Sequence, residues 1–395
     1  MADIKNIKTF VVIGAGTMGR EIAQVALMAG FENVVLNDIK EEVIEDASNY
    51  IKNGLRSLEG KGLLSEGQKT DVLMTHFIKE SELKTAVQNA DFIVEAIPEV
   101  MDLKQELFNK MGNIAPEHAI FATNTSTMSI TDIASTSGRE DKVIGMHFFI
   151  PIVLLRLIEL IKGSKTSQET FEKSYEVSMK FPSLKGNRYI AKINRESPGF
   201  IVNRLTIASS LYLSWMLDYA TEKGISSELL DNDVIDPPSL GPFAKWDFLG
   251  LDTVRNVQIY FAKTLSPEFS PCKKLQKLVG EGKLGKKTGS GLYEWEGGKI
   301  IRKSNEKANL INFEMYYAIQ LNEGCRLLEE GIVTNYKIID DTMIAGMDMP
   351  GPFSAGKRNY KKWTHMLESF SKESGINYIK PIKLMATGDF IQMKK

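Results

Sequence analysis

Cysteine, histidine and net charge are all scarce in this chain. Only Cys272 and Cys325 stand among its 395 residues. They are too few for a disulfide framework and lack a zinc-type spacing. Four histidines (His76, His118, His147 and His365) are scattered, which argues against a metal centre built on imidazoles. Lys and Arg number 49 against 50 Asp and Glu, a formal net charge of −1. No global field therefore draws the chain to nucleic acid or to an anionic membrane. Long apolar runs are missing too. The greasiest stretch, Ile150 to Ile161, carries Pro151, Arg156 and Glu159, and it is too short to span a bilayer. The opening MADIKNIKTF has no apolar core of the kind a secretory signal needs. The expectation is a soluble, cytoplasmic protein, in which the NTS sequon at Asn124 is irrelevant because glycosylation needs a secreted context.

What is present is ordinary for a globular chain: 43% hydrophobic and 25% charged residues, with length enough for two or three domains. KTFVVIG is an apolar run closed by glycine, the pattern of a buried strand. REIAQVALMAG follows with helical spacing and a glycine stop at Gly30. NVVLND is a second short strand, and a charged helical tract runs from Glu41 to about Lys61. ADFIVEAI, AIFATNT and KVIGMHF each have strand character, separated by polar helical segments. Strands alternating with helices predict a doubly wound parallel sheet over roughly the first 190 residues. Beyond SPGFIVNRL the segments are long, rich in Leu, Tyr and Met, and of helical period, with a proline break near Ser197 and Pro198.

The second half repeats itself. EKGISSELLDNDVIDPPSLGPF ends at Phe243 and EEGIVTNYKIIDDTMIAGMDMPGPF ends at Phe353. Each offers acid–Gly–Ile, an Ile/Leu-Asp element, then Gly-Pro-Phe. A period of about a hundred residues predicts two copies of one helical unit. The expected organisation is α/β followed by all-α: a Rossmann-type domain over 1–196, a first helical domain over 197–298 and its repeat over 299–395.

VVIGAGTMGREIAQ places Gly14, Gly16 and Gly19 in G-x-G-x-x-G spacing, closing a strand and opening a helix. That context gives the motif its meaning. Gly14 permits the tight turn, Gly16 lets backbone approach a pyrophosphate, and Gly19 allows close helix–strand packing. Thr17 and Met18 lie in the same loop, where the helix N-terminus offers free amides to phosphate. Asp38, at the end of the second strand, suits the adenosine ribose hydroxyls and repels a 2′-phosphate, which favours NAD over NADP. GEGKLGKKT, at 280–288, nearly spells a P-loop, but Lys287 occupies the required Ser/Thr position and no strand precedes it.

Oxidising an alcohol against NAD requires a base for the hydroxyl proton. His147, just past the core of the fifth predicted strand, suits that task near neutrality. The following IPIVLLRLIEL predicts a proline turn and a returning strand that brings Glu159 back beside the imidazole. Packing of both residues at the ends of buried strands is the alternative on sequence grounds.

GAGTMGREIAQ, FIVEAIPE, FATNTSTMSITDIA, VIGMHFFIP, PGFIVNR and GKLGKKTGSGLYEW occur here in the order found in the L-3-hydroxyacyl-CoA dehydrogenases, and the chain resembles that family from about Lys8 to Trp295. Duplicated helical domains occur in its multifunctional and long-chain members; a hydratase domain is not evident. The resemblance implies an NAD-dependent enzyme acting on an acyl-CoA. It implies His147 as catalytic base with Glu159 as its partner, and Ser126 and Asn203 as residues that meet the substrate. Glu99, Lys104 and Lys287 then match positions near the cofactor, and Lys61 a position for a coenzyme A phosphate. The bland readings are caps for Ser126 and Asn203 and surface charge for Glu99, Lys104 and Lys287.

One departure matters. The family motif is His-Phe-Phe-Asn-Pro, and here Ile150 precedes Pro151. Isoleucine cannot donate a hydrogen bond, and loss of one transition-state donor can cost about a hundredfold in turnover. PPSLGPFAKWDFLGLD is also less regular than the family's PMGPFELLD form. Three readings follow: a 3-hydroxyacyl-CoA dehydrogenase, a dehydrogenase of a non-CoA hydroxy acid, and a catalytically weak NAD or acyl-CoA binder. A duplicated helical domain can replace a dimer contact, so both a monomer and a homodimer are compatible with the chain.

Overall fold

Unbroken runs of Val, Ile and Phe, as in TFVVI, NVVLN and FIVE, are what a strand covered on both faces needs. The computed structural model, which describes residues 7–235 and 240–393, gathers them into one eight-stranded sheet. Its elements in chain order are β1 (Thr9–Ile13), α1 (Thr17–Met28), β2 (Asn33–Asn37), α2 (Glu41–Gly60), α3 (Thr70–Thr75), β3 (Phe77–Glu80), α4 (Leu83–Val87) and β4 (Phe92–Glu95). After them come α5 (Met101–Ile114), β5 (Ile120–Thr123), α6 (Ile130–Ala134), β6 (Val143–Phe148), β7 (Leu157–Lys162), α7 (Gln168–Lys180) and β8 (Tyr189–Ile193).

The spatial order is β3-β2-β1-β4-β5-β6-β7-β8. Strands β1 to β6 run parallel, β7 turns antiparallel to β6, and β8 pairs parallel with β7. Strand order reverses between β1 and β4, the switch point outside which an open sheet of this kind binds ligands. Phe10 and Phe92 stack at 5.6 Å between ring centroids, and Phe181 meets both Phe10 and Phe148 edge-on. Two strands escape the sequence pattern. β3 is a four-residue edge strand reading FIKE, and β8 reads YIAKI, with too few apolar residues to stand out. Because β3 goes uncounted, the strand carrying His147 is the sixth, and the histidine sits inside it, not beyond its core.

The chain folds as two units. One extends to Val202 and takes in Glu330–Gly351; the other comprises Asn203–Glu329 and the chain from Pro352 onward. After β8 come α8 (Val202–Glu222), α9 (Ser227–Asn232), α10 (Pro242–Leu249), α11 (Leu251–Thr264), α12 (Lys273–Gly280), the two-residue strands β9 (Trp295–Glu296) and β10 (Lys299–Ile300), α13 (Phe313–Glu329), α14 (Tyr336–Met347), α15 (Pro352–Ser374) and α16 (Lys383–Thr387). Helix α14 therefore folds with the sheet, although in sequence it lies within 299–395. It covers the last two strands: Arg156 N–H donates to the Ala345 carbonyl at 3.3 Å. Gly346 lies so near Leu157 that an added Cβ would come within 2.4 Å of its Cδ2.

In the helical unit, buried carboxylates replace a sheet as organisers. Asp231 accepts from the amides of Phe243 and Ala244 and from the Tyr293 hydroxyl, at 3.0, 2.8 and 2.6 Å. Burial pushes its carboxyl up to about 6. Asp247 gathers the amides of Leu292 and Tyr293 and the Trp295 indole. Arg204 and Glu323, both buried, pair at 2.7 Å. Residues 236–239, the first half of DPPSLGPF, lie outside the described residues.

Candidate active site

The glycine loop follows β1 directly. Gly14 takes φ +99°, and a Cβ on it would lie 2.7 Å from the Ala96 carbonyl oxygen, so only glycine fits the turn. At Gly19 a Cβ would overlap the Gly14 carbonyl. Gly16 is different: it is exposed, and a side chain there would meet nothing within 4 Å. No side chain caps α1, which leaves the amides of its first turn, including those of Thr17 and Met18, for a ligand. Asp38 supports the loop by accepting the Ala15 amide at 2.9 Å and keeps carboxylate lone pairs for ribose hydroxyls. An uncapped helix end, an open glycine and a strand-end acid fit a dinucleotide with a free ribose.

At β6 and β7 the antiparallel register puts His147 directly opposite Glu159. Opposite residues share one face of a sheet, which is how two positions twelve apart in sequence meet. Glu159 Oε2 lies 2.7 Å from His147 Nδ1. Its other oxygen accepts the amides of Ile201 and Val202, each at 3.0 Å. Those amides face it because Gly199 and Phe200 both turn through positive φ, 74° and 55°. A non-glycine residue there is uncommon and marks a backbone shaped for a purpose. Glu159 is fully buried and His147 only 6% exposed. Phe149 and Phe200 flank the imidazole at 4.3 and 5.8 Å between ring centroids. With Nδ1–H donating to the carboxylate, Nε2 is the basic nitrogen, and the carboxylate stabilises the ring once it is protonated.

A second carboxylate cluster stands at the ends of β4 and β5. Glu99 Oε1 accepts the Ser126 amide at 2.9 Å, the Ser126 hydroxyl at 3.4 Å and the Thr125 hydroxyl. Lys104, 1% exposed, bridges Glu95 at 2.6 Å and Glu99 at 3.2 Å. Burial raises the Glu99 carboxyl, but the Lys104 charge and the bonds from Thr125 and Ser126 outweigh it, so its pKa falls below the usual value. Lys104 is thus enclosed by carboxylates.

The remaining sequence candidates fall elsewhere. Lys61 caps the C-terminus of α2 and is exposed. Asn203 opens the helical unit. Lys287, in that same unit, pairs with Asp252 at 2.8 Å and meets the Thr253 hydroxyl at 3.0 Å. Three of the organising residues that sequence reasoning missed are Asn124, Glu95 and Arg188. Asn124, read only as a sequon, accepts the Phe148 amide at 2.9 Å and so fixes the end of the base-bearing strand. Glu95 collects Lys104, the Ile97 amide and the Thr123 hydroxyl. Its signal was a carboxylate ending an apolar strand, the same signal that picked out Asp38. Arg188 is the third, and nothing in its local sequence marks it.

A doubly wound sheet with an open glycine loop at its switch point and a carboxylate-held imidazole at the same end is the frame of a nicotinamide-dependent oxidoreductase. Residues 9–183 match the family model of the 3-hydroxyacyl-CoA dehydrogenase NAD binding domain, and residues 199–295 that of the 3-hydroxyacyl-CoA dehydrogenase C-terminal domain. Human mitochondrial hydroxyacyl-coenzyme A dehydrogenase is 34% identical over 298 residues, 73% of this chain and 92% of its own length. The crystal structure of (S)-3-hydroxybutyryl-CoA dehydrogenase from Ralstonia eutropha matches with TM-score 0.65 and 31% identity, over 74% of this chain and 100% of that one. That of 3-hydroxybutyryl-CoA dehydrogenase from Escherichia coli K12 reaches TM-score 0.82 over 98% of this chain and 99% of its own, at 24% identity, and so shares the fold through the second helical stretch. This chain belongs to the 3-hydroxyacyl-CoA dehydrogenase family, and the cofactor is NAD.

Proposed function

We propose that the chain interconverts L-3-hydroxyacyl-CoA and 3-ketoacyl-CoA, with His147 as general base. The observation that carries this reading is the 2.7 Å bond between His147 Nδ1 and buried Glu159, which leaves Nε2 to take the hydroxyl proton. NAD, when bound, accepts the hydride. Ser126 and Asn203 hold the substrate's 3-oxygen, and Glu159 orients the ring and balances the imidazolium. Gly14, Gly16, Gly19, Thr17, Met18 and Asp38 hold the dinucleotide, with Glu99 beside it and Lys104 acting through Glu99. Lys287 serves the cofactor and Lys61 meets a coenzyme A phosphate. Both cysteines are free thiols, which suits a reducing compartment such as the cytoplasm. Among the described residues no helix is long and apolar enough to cross a membrane.

The helical stretches 197–298 and 299–395 are, in this reading, copies of one unit. In support, a long helix, an aspartate-bearing helix and a Gly-Pro-Phe helix start recur in each. A Cβ on Gly241 would fall 2.3 Å from Asp231 Cγ, and one on Gly351 would fall 2.1 Å from Asp340 Oδ1. Such a duplicate can stand in for a partner's helical domain, so a monomer and a homodimer are both compatible with this reading.

Ile150, 46% exposed at the end of β6, supports a second reading, a weakly catalytic NAD or acyl-CoA binder. Mixing the pure protein with NADH and acetoacetyl-CoA and following NADH absorbance separates the two. Oxidation of NADH is the expected result. Its absence across several acyl lengths, with NADH still bound, would favour the second reading.

A further inference from the structure

The segment that leaves β6 after His147 is fastened at one residue, Ile152, by two buried charged side chains. The Ile152 amide donates to Glu21 Oε2 at 2.7 Å. Its carbonyl accepts from Arg188 Nη2, also at 2.7 Å. Arg188 further holds the carbonyls of Leu155, Phe181 and Pro182, and although burial lowers its pKa to about 10 it stays charged at neutral pH. Glu21 and Arg188 are 8% and 7% exposed, and Ile152 is fully buried. Neither contact is a surface accident.

Glu21 belongs to α1, the helix whose first turn faces the dinucleotide phosphates. Its second oxygen accepts the Tyr50 hydroxyl of α2 at 3.3 Å. Tyr50 in turn lies under the Arg20 guanidinium, 4.0 Å from the ring centroid. One carboxylate therefore ties the cofactor helix to the four-residue segment Phe149–Ile152, within which Phe149 packs on the imidazole. The hydride leaves the carbinol carbon and the proton leaves the oxygen bonded to it, so base and cofactor must be placed relative to each other and not merely be present. A misplacement of about 1 Å can cost roughly a hundredfold.

We propose that Glu21 is a positioning residue that sets the Phe149–Ile152 segment, and with it the His147 ring, against the dinucleotide-binding helix. This rests on His147 being the base. Arg188 holds the segment from the sheet side, while Glu21 hydrogen-bonds it to the helix that carries the cofactor. Removing Glu21 strands a buried amide, and the segment must shift to find a partner.

The test is steady-state reduction of acetoacetyl-CoA by NADH together with NADH titration by fluorescence, for wild type and for Glu21→Ala, Glu21→Asp and Glu21→Gln. Glu21→Ala is expected to lower kcat about 10- to 100-fold while the NADH dissociation constant moves less than about threefold. Glu21→Gln, whose amide oxygen still accepts the Ile152 N–H, should restore most of kcat. Glu21→Asp keeps the charge but is one methylene short, and should fall near Glu21→Ala; if alanine prevents folding, this variant carries the test. Wild-type kcat in Glu21→Ala or Glu21→Asp overturns the proposal, as does a glutamine variant no better than aspartate, or parallel loss of NADH affinity. Wild-type turnover by His147→Gln overturns this inference and the base assignment together. An inactive His147→Gln beside fully active Glu21 variants overturns the inference alone.

Discussion

Glu159 and Glu99 are the same device built twice. Each carboxylate collects backbone N–H and a side chain: the Ile201 and Val202 amides with the His147 imidazole in one case, the Ser126 amide with the Ser126 hydroxyl in the other. They differ in surroundings. Glu159 is fully buried between β7 and the turn before α8, whereas the Glu99 side chain is 37% exposed and leans on Lys104. A buried carboxylate with both oxygens engaged dictates which nitrogen of the ring is basic. One at the rim, shared with an ammonium and open to water, only biases a hydroxyl. The two sites should therefore respond unequally to the same chemical change.

The largest effect is expected at the buried site. Glu159→Gln keeps the shape but can present an NH2 group to Nδ1 and so favour the wrong tautomer. By the physics of a base and its orienting carboxylate, kcat should fall by roughly 10³-fold or more with NADH affinity intact. A loss below about tenfold would erase the contrast. Next comes Ile150→Asn at the end of the same region. Returning an amide donor there should raise kcat by up to about a hundredfold if a transition-state donor is missing, and an unchanged rate would show that the isoleucine costs nothing.

Glu99→Gln sharpens the other side. It should lower kcat only about tenfold, since Ser126 loses charge in its acceptor but keeps a partner. Because the Glu99 carboxyl is depressed in the folded protein, its stabilising contribution is full above the ordinary glutamate value of 4.5 and is lost as pH falls through the depressed one. The difference in melting temperature between wild type and Glu99→Gln should be constant from pH 7 to about 5 and narrow below that. A difference that instead widens toward acid would reverse the assigned sign.

The parallel core of the sheet was legible because strands buried on both faces carry near-continuous apolar runs, and β1, β2, β4, β5 and β6 each have one. β3 was not, since an edge strand four residues long needs no such pattern. Nor was the placement of α14: its helical period says that it has an apolar face, not which unit receives that face. At the site, Gly14, Gly16, Gly19 and Asp38 were readable from spacing because local backbone geometry fixes their tasks. The meeting of His147 with Glu159 was an inference from one proline turn, which the register then places opposite. Glu21 and Arg188 carried no local signal. Their partners lie 131 and 36 residues away, and only the folded chain brings them to Ile152.

The central claim is that His147 moves the proton. Single-turnover oxidation of bound NADH by acetoacetyl-CoA, measured for wild type and His147→Gln alongside NADH affinity, tests it most directly. The predicted result is a rate lower by about 10²- to 10⁴-fold, with the dissociation constant for NADH within about twofold of wild type. A His147→Gln protein that oxidises NADH as fast as wild type would contradict the assignment.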